Sequence, residues 1–160
     1  MIKPSGVLFD LDGVIFQGDR LIPGAEDIIH KFQTVKIPYR FITNTTRMTK
    51  NNLVNMLGKM GFSVTPEEIF AAPHAAVEYC KLKGYKNILL IVPDEEMKED
   101  FSTFQFVDEN PEAIVVGDMG KLFTFELLNR LFLNIINGAE LIAMHKKFSK
   151  IPVNIMGTDP

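Results

Sequence analysis

The stretch Val7-Leu8-Phe9-Asp10-Leu11-Asp12-Gly13-Val14 constrains this chain more than any other. A short apolar run bounded by a turn signal reads as a buried strand. It breaks into two carboxylates one residue apart and then a glycine, which lets the backbone leave sharply. Ligands of open α/β sheets gather at the carboxyl ends of strands, so Asp10 and Asp12 stand where such a sheet would meet one. Two carboxylates this close repel each other and call for a counter-charge. A hard divalent cation such as Mg²⁺ supplies it and tends to bring phosphate oxygens along. Plainer readings exist: a strand-end Asp can cap a turn, and a D-x-D pair arises by chance. A calcium loop is excluded, because Val14 and Leu21 occupy positions where that loop requires oxygen ligands.

A second strand-like segment, Ile37 to Ile42, ends in Thr43-Asn44-Thr45-Thr46-Arg47. Between the two lies a helix entered through Leu21-Ile22-Pro23-Gly24-Ala25, with Ala25, Ile28, Ile29 and Phe32 at helical spacing. A single helical crossover makes the two strands parallel, right-handed in connection and adjacent in one sheet. Asp10 and Thr43 then share one sheet end. A threonine hydroxyl there would orient a phosphate oxygen without drawing charge from phosphorus. Alternatively, Thr43 to Thr46 cap the next helix, and both can hold at once. That helix carries Leu53, Met56, Leu57 and Met60 inward and stops near Gly61, and Thr65-Pro66-Glu67-Glu68 is a capping-box start.

The string FDLDGVI resembles the first motif of the haloacid dehalogenase superfamily of phosphohydrolases, and the apolar strand ending in Thr43-Asn44 resembles its second. The resemblance implies that Asp10 is the nucleophile that becomes phosphorylated. Asp12 would be the acid that protonates the leaving oxygen and then the base that activates water. Thr43 and Asn44 would hold the phosphate, and Asp10 through its side chain and Asp12 through its backbone carbonyl would ligate Mg²⁺ together with a later acidic residue. A carboxylate nucleophile is ionised at neutral pH and needs no activating base. His30, beside the first helix's apolar side, reads as a surface or boundary residue.

From Pro73 on, a helix (Ala75, Ala76, Tyr79, Cys80, Leu82) runs to Gly84, and Asn87 to Val92 reads as a buried strand. Pro93-Asp94-Glu95-Glu96 opens a short acidic helix, Phe104 to Val107 an edge strand, and Ala113 to Val116 another buried strand. Thr124 to Ile136 is the longest helix, with Leu127, Leu128, Leu131, Phe132 and Ile135 apolar, stopped by Asn137-Gly138. Glu140 to Met144 is the last strand. The strings AIVVGD, FTFELLNRLF and NGAELIAMHK resemble the inserted α/β cap of the superfamily's class IIA, in which the phospholysine/phosphohistidine/pyrophosphate phosphatase group is nearest in pattern. The expected fold is therefore α/β: a Rossmann-like parallel sheet forming the amino-terminal part of the core (1–72), an α/β cap (73–150) and an unassigned tail (151–160). Asp118, His145 and Lys146 at strand ends are candidate substrate contacts, against turn-capping or solvated roles.

With 160 residues, 46% hydrophobic content and net charge −3, the chain reads as a soluble globular protein of one compact domain or two small ones. The mild acidity gives no nucleic-acid patch. No apolar run is long enough to span a bilayer, and no signal peptide is evident. The one cysteine, Cys80, reads as a buried thiol in a reducing, cytoplasmic setting.

In the family a lysine motif and a pair of late metal-binding acids follow the cap, and no match to either is seen here. The expectation is a truncated chain of doubtful activity. The leading reading is a Mg²⁺-dependent phosphohydrolase of a small phosphorylated metabolite, working through an aspartyl-phosphate. The alternatives are a catalytically inactive binding module of the same fold and, less well supported, a phosphoacceptor receiver. Exposed surfaces of a partial core point to a homodimer.

Overall fold

The computed structural model describes residues 4–145, so Lys146, Lys147, Lys150 and the 151–160 tail fall outside the described residues. The first sheet has three parallel strands: β1 (Val7–Asp10), β4 (Tyr39–Thr43) and β5 (Ile69–Ala71), in the order β1-β4-β5. Asp10 pairs with Ile42 and Thr43 with Ala71, which places Asp10 and Thr43 at the same sheet end. The strand β5 is absent from the sequence reading. Ile69-Phe70 is too short to show a period, and its partner rather than its own pattern makes it a strand.

Between β1 and β4 lie a small hairpin, β2 (Phe16–Gln17) with β3 (Arg20–Leu21), and helix α1 (Ala25–Thr34). The hairpin was also missed. Gly18 turns it at φ +59°, a conformation glycine adopts at no steric cost. On α1, Ala25 and Ile29 are buried and Phe32 packs against the core, whereas Ile28 faces solvent. After β4 comes α2 (Lys50–Lys59), with Thr49 as its N-cap, accepting a 3.1 Å hydrogen bond from the Asn52 amide. Leu53 and Leu57 of α2 join Phe41, Ile69 and Leu11 in one core on a single face of the sheet.

The second sheet is also parallel, in the order β7-β6-β8-β9: β6 (Asn87–Ile91), β7 (Gln105–Phe106), β8 (Ala113–Val116) and β9 (Glu140–Ala143). It is packed on one face by α3 (Ala72–Lys83) through Ala76, Val77 and Cys80. Helix α4 (Phe125–Ile136) packs the other through Leu131, Leu127 and Ile135. The sequence reading put Leu82 on the apolar side of α3, and Leu128 and Phe132 on that of α4; all three are exposed. A helix meets a sheet along one narrow stripe, so residues 127, 131 and 135, spaced by four, fill it and their apolar neighbours are left outside.

The two sheets are joined by polar contacts. The Asp100 carboxylate accepts the Lys50 amide at 3.1 and 3.3 Å, Asn51 donates to Glu99 at 2.6 Å, and Asn52 to Glu96 at 3.0 Å. An acidic turn thus sits on the positive N-terminal end of α2, where the helix dipole favours negative charge. Among the described residues no helix is long and apolar enough to cross a membrane.

Candidate functional site

Leu11, fully buried, anchors the chain as it leaves β1, and Gly13 at φ +80° turns it so that its amide donates to the Phe16 carbonyl at 2.7 Å. The carboxylates on either side of Leu11 are exposed at the sheet end. Asp10 accepts the Leu11 amide on one oxygen at 2.8 Å, which fixes its rotamer and leaves the other oxygen free for a ligand. Across the register, the Thr43 hydroxyl accepts the Thr45 amide at 3.2 Å. That contact satisfies the hydroxyl as an acceptor and leaves its proton available to donate.

Asp10, Thr43 and Asn44 line one cavity of about 370 Å³, together with Ile42, Phe70, Ala71 and Ala72. Asp12 is not among the lining residues; it lies on the adjoining turn, exposed and bridged to Phe16. The sequence reading missed Phe70, Ala71 and Ala72, which follow from the unrecognised third strand. Because β5 runs straight into α3, the first turn of that helix borders the cavity, and helix N-termini favour anions.

The nearby polar residues have other partners. Arg47 pairs with Asp118 at 3.2 Å, the Asp118 amide donates to the buried Thr46 hydroxyl at 2.8 Å, and Asp118 accepts the Gly120 amide at 3.1 Å. Asp118 thus closes its own turn and ties the second sheet to the Thr43–Arg47 loop. His30 is exposed on α1. Among the described residues no three His, Cys, Asp or Glu side chains cluster as a metal site. The Asp10 carboxylate and the Asp12 backbone carbonyl are nonetheless oxygen donors of the kind that suit Mg²⁺, which completes its shell with water and phosphate oxygens.

Residues 7–106 match the family described as haloacid dehalogenase-like hydrolase. The chain belongs to that family. Haloacid dehalogenase-like hydrolase domain-containing protein 2 of Rattus norvegicus is 35% identical over 142 residues, 89% of this chain and 53% of the relative. The phospholysine phosphohistidine inorganic pyrophosphate phosphatase of Homo sapiens is 28% identical over 131 residues, 79% of this chain and 47% of its own. Among solved structures, a mutant of the thermostable p-nitrophenylphosphatase from Bacillus stearothermophilus is 31% identical with TM-score 0.76, covering 92% of this chain and 58% of that one. The p-nitrophenyl phosphatase from Archaeoglobus fulgidus shares the fold at TM-score 0.81 and 23% identity, over 89% of this chain and 56% of that one. The chain spans about half the length of these relatives.

Proposed function

We propose that this chain carries the nucleophile and phosphate-holding half of a Mg²⁺-dependent phosphohydrolase for small phosphorylated metabolites. One observation carries the reading: Asp10, Thr43 and Asn44 converge on one cavity at the ends of adjacent parallel strands. Support comes from relatives whose names describe phosphatases.

In this reading the free oxygen of Asp10 attacks phosphorus, while the bond to the leaving oxygen breaks and that oxygen takes a proton from Asp12. Water then attacks the phosphorus of the aspartyl-phosphate and gives its proton to Asp12, releasing phosphate and restoring Asp10. Thr43 donates to a phosphate oxygen and Asn44 closes that side. Mg²⁺, held by the Asp10 carboxylate and the Asp12 backbone carbonyl, would offset the repulsion between carboxylate and phosphate and leave the Asp12 side chain free for proton transfer. The lone buried Cys80 fits a reducing, cytoplasmic setting.

A second reading, an inactive binding module, has its own support. Among the described residues no cationic side chain lines the cavity, and Arg47 is engaged with Asp118. Electrostatic stabilisation is the main contribution to phosphoryl transfer, and each missing group costs on the order of 10²–10³ in rate. The test is hydrolysis of p-nitrophenyl phosphate with and without Mg²⁺. Slow, metal-dependent turnover that falls at least about 10²-fold in Asp10→Asn is expected. Turnover indifferent to Asp10→Asn refutes the assignment, and phosphate binding without turnover selects the second reading.

A further inference from the structure

Asn134 is a polar side chain on α4 that is only 8% exposed. Its amide nitrogen donates to the Arg130 carbonyl at 3.1 Å and to the Asp108 carbonyl at 3.3 Å. Two carbonyl acceptors require a donor opposite them, so the side-chain oxygen faces the other way. That oxygen accepts no hydrogen bond among the described residues, and no enclosed side-chain oxygen there lacks a partner. It therefore opens into the cavity that Asn134 lines.

The cavity, about 620 Å³, runs along α4 from Phe125 to Asn137, against the loop of Asp108, Glu109 and Asn110 that follows β7. The twelve residues of α4 span about 18 Å, so the space is an elongated groove. It shares no lining residue with the phosphate cavity. Asp108, Glu109 and Glu126 bring three carboxylates to it. Arg130, the one cation lining it, pairs with Asp108 at 3.4 Å, which leaves Glu109 and Glu126 without a cationic partner among the described residues. The Glu126 amide, then the Thr124 hydroxyl, hold the Glu126 carboxyl below its ordinary range. Phe125, 79% exposed, and Leu133, 47% exposed, give the groove an apolar wall. Among the described residues no three acidic side chains stand close enough to hold one metal ion. The negative charge is thus spread along the groove, which suits a ligand with spaced positive charges better than a single ion.

We propose that this groove binds a linear aliphatic polyamine. Ammonium groups carry donors and no acceptor, and they would meet the Glu109 and Glu126 carboxylates and the free Asn134 oxygen. The methylenes between them would lie on Leu133 and Phe125, whose ring face also attracts a cation. A neutral sugar would leave the carboxylate charge unanswered. The inference stands apart from the phosphate site and from catalysis.

Titration calorimetry of the full chain with spermidine, at about 0.15 M salt, tests it. Saturable binding at one site is expected, weakened at least about fivefold by the double substitution Glu109→Gln/Glu126→Gln and about twofold by Phe125→Ala. These side chains are exposed, so circular dichroism should be unchanged by either variant. Asp27→Asn, which removes an exposed carboxylate on α1, should leave the affinity as it was. In the labelled chain, spermidine should move the amides of residues 108–110 and 129–137 and leave Leu11–Gly13 in place. Absence of saturable binding overturns the proposal. So does a loss in Asp27→Asn equal to that in the double variant, or full displacement by equimolar Mg²⁺, since either would reduce the effect to diffuse counter-charge. Saturation by maltose in place of spermidine would make the groove a sugar site and overturn it as well.

Discussion

Asp10 and Thr43 were legible as a pair because the sequence marks both strand ends, one by a break from apolar to acidic, the other by a run of hydroxyl residues. Phe70 was not legible as a site residue, because nothing local announces a three-residue strand whose stability comes from its neighbour. The same is true of His74. It stands edge-on to Phe70 at 5.4 Å between ring centres, among Lys50, Lys81, Glu78 and Asp100. Burial, then the Lys50 charge, holds its imidazole below the ordinary value of 6.5, while Glu78 and Asp100 pull the other way. A depressed histidine contributes stability that is fully present above the unfolded value and lost as pH falls through 6.5 toward the folded one. Asp100 has the opposite slope, since burial raises its carboxyl above 3.8, and its effect belongs to a more acidic window. Thermal melts at about pH 7.5 and about pH 5.5 should therefore show a loss of stability that His74→Gln reduces. An equal loss in the variant would remove His74 as its source.

Among the elements, the strands β1, β4, β6, β8 and β9, the parallel pairing of β1 with β4 and the edge position of β7 follow from apolar runs, turn signals and the single crossover. The faces of α3 and α4 follow less well. Both helices carry apolar residues around more than one side, so periodicity names a set of side chains and the sheet selects which four-residue stripe it accepts. The start of α2 lies later than the Thr43 to Thr46 caps suggested by the sequence: Thr49 is almost fully buried and caps the Asn52 amide, and Asp100, in the acidic turn that follows β6, caps Lys50. Thr49→Ala should cost about 1 kcal/mol, read as a shift in the urea midpoint at unchanged slope. A loss well below this would mean that Asp100 alone satisfies the helix end.

At the scale of the molecule, the alternation of strands and helices reads directly as a parallel core part followed by an α/β cap, whereas the parallel order of the second sheet and the polar seam between the two do not. Asp100, Glu99 and Glu96 meet the N-terminus of α2 across more than forty positions of sequence, and no local pattern marks such a contact. The outer side of α4 departs from an ordinary surface: Phe125 is 79% and Ile136 60% exposed, with Phe132 and Leu128 between them. Apolar patches of this kind favour association. We expect a homodimer through this helix, and Phe132→Asp should shift sedimentation to monomer at tens of micromolar (order of magnitude,). A wild-type monomer under those conditions would contradict it.

The central claim is that Asp10, Thr43 and Asn44 form a phosphate site, and amide chemical shifts test it without requiring turnover. Titrating inorganic phosphate into the labelled chain with Mg²⁺ should move the Leu11–Gly13 and Thr43–Thr45 amides together, and the shifts should vanish in Asp10→Asn or when Mg²⁺ is withheld. Shifts that survive Asp10→Asn, or that gather elsewhere in the molecule, would contradict the account.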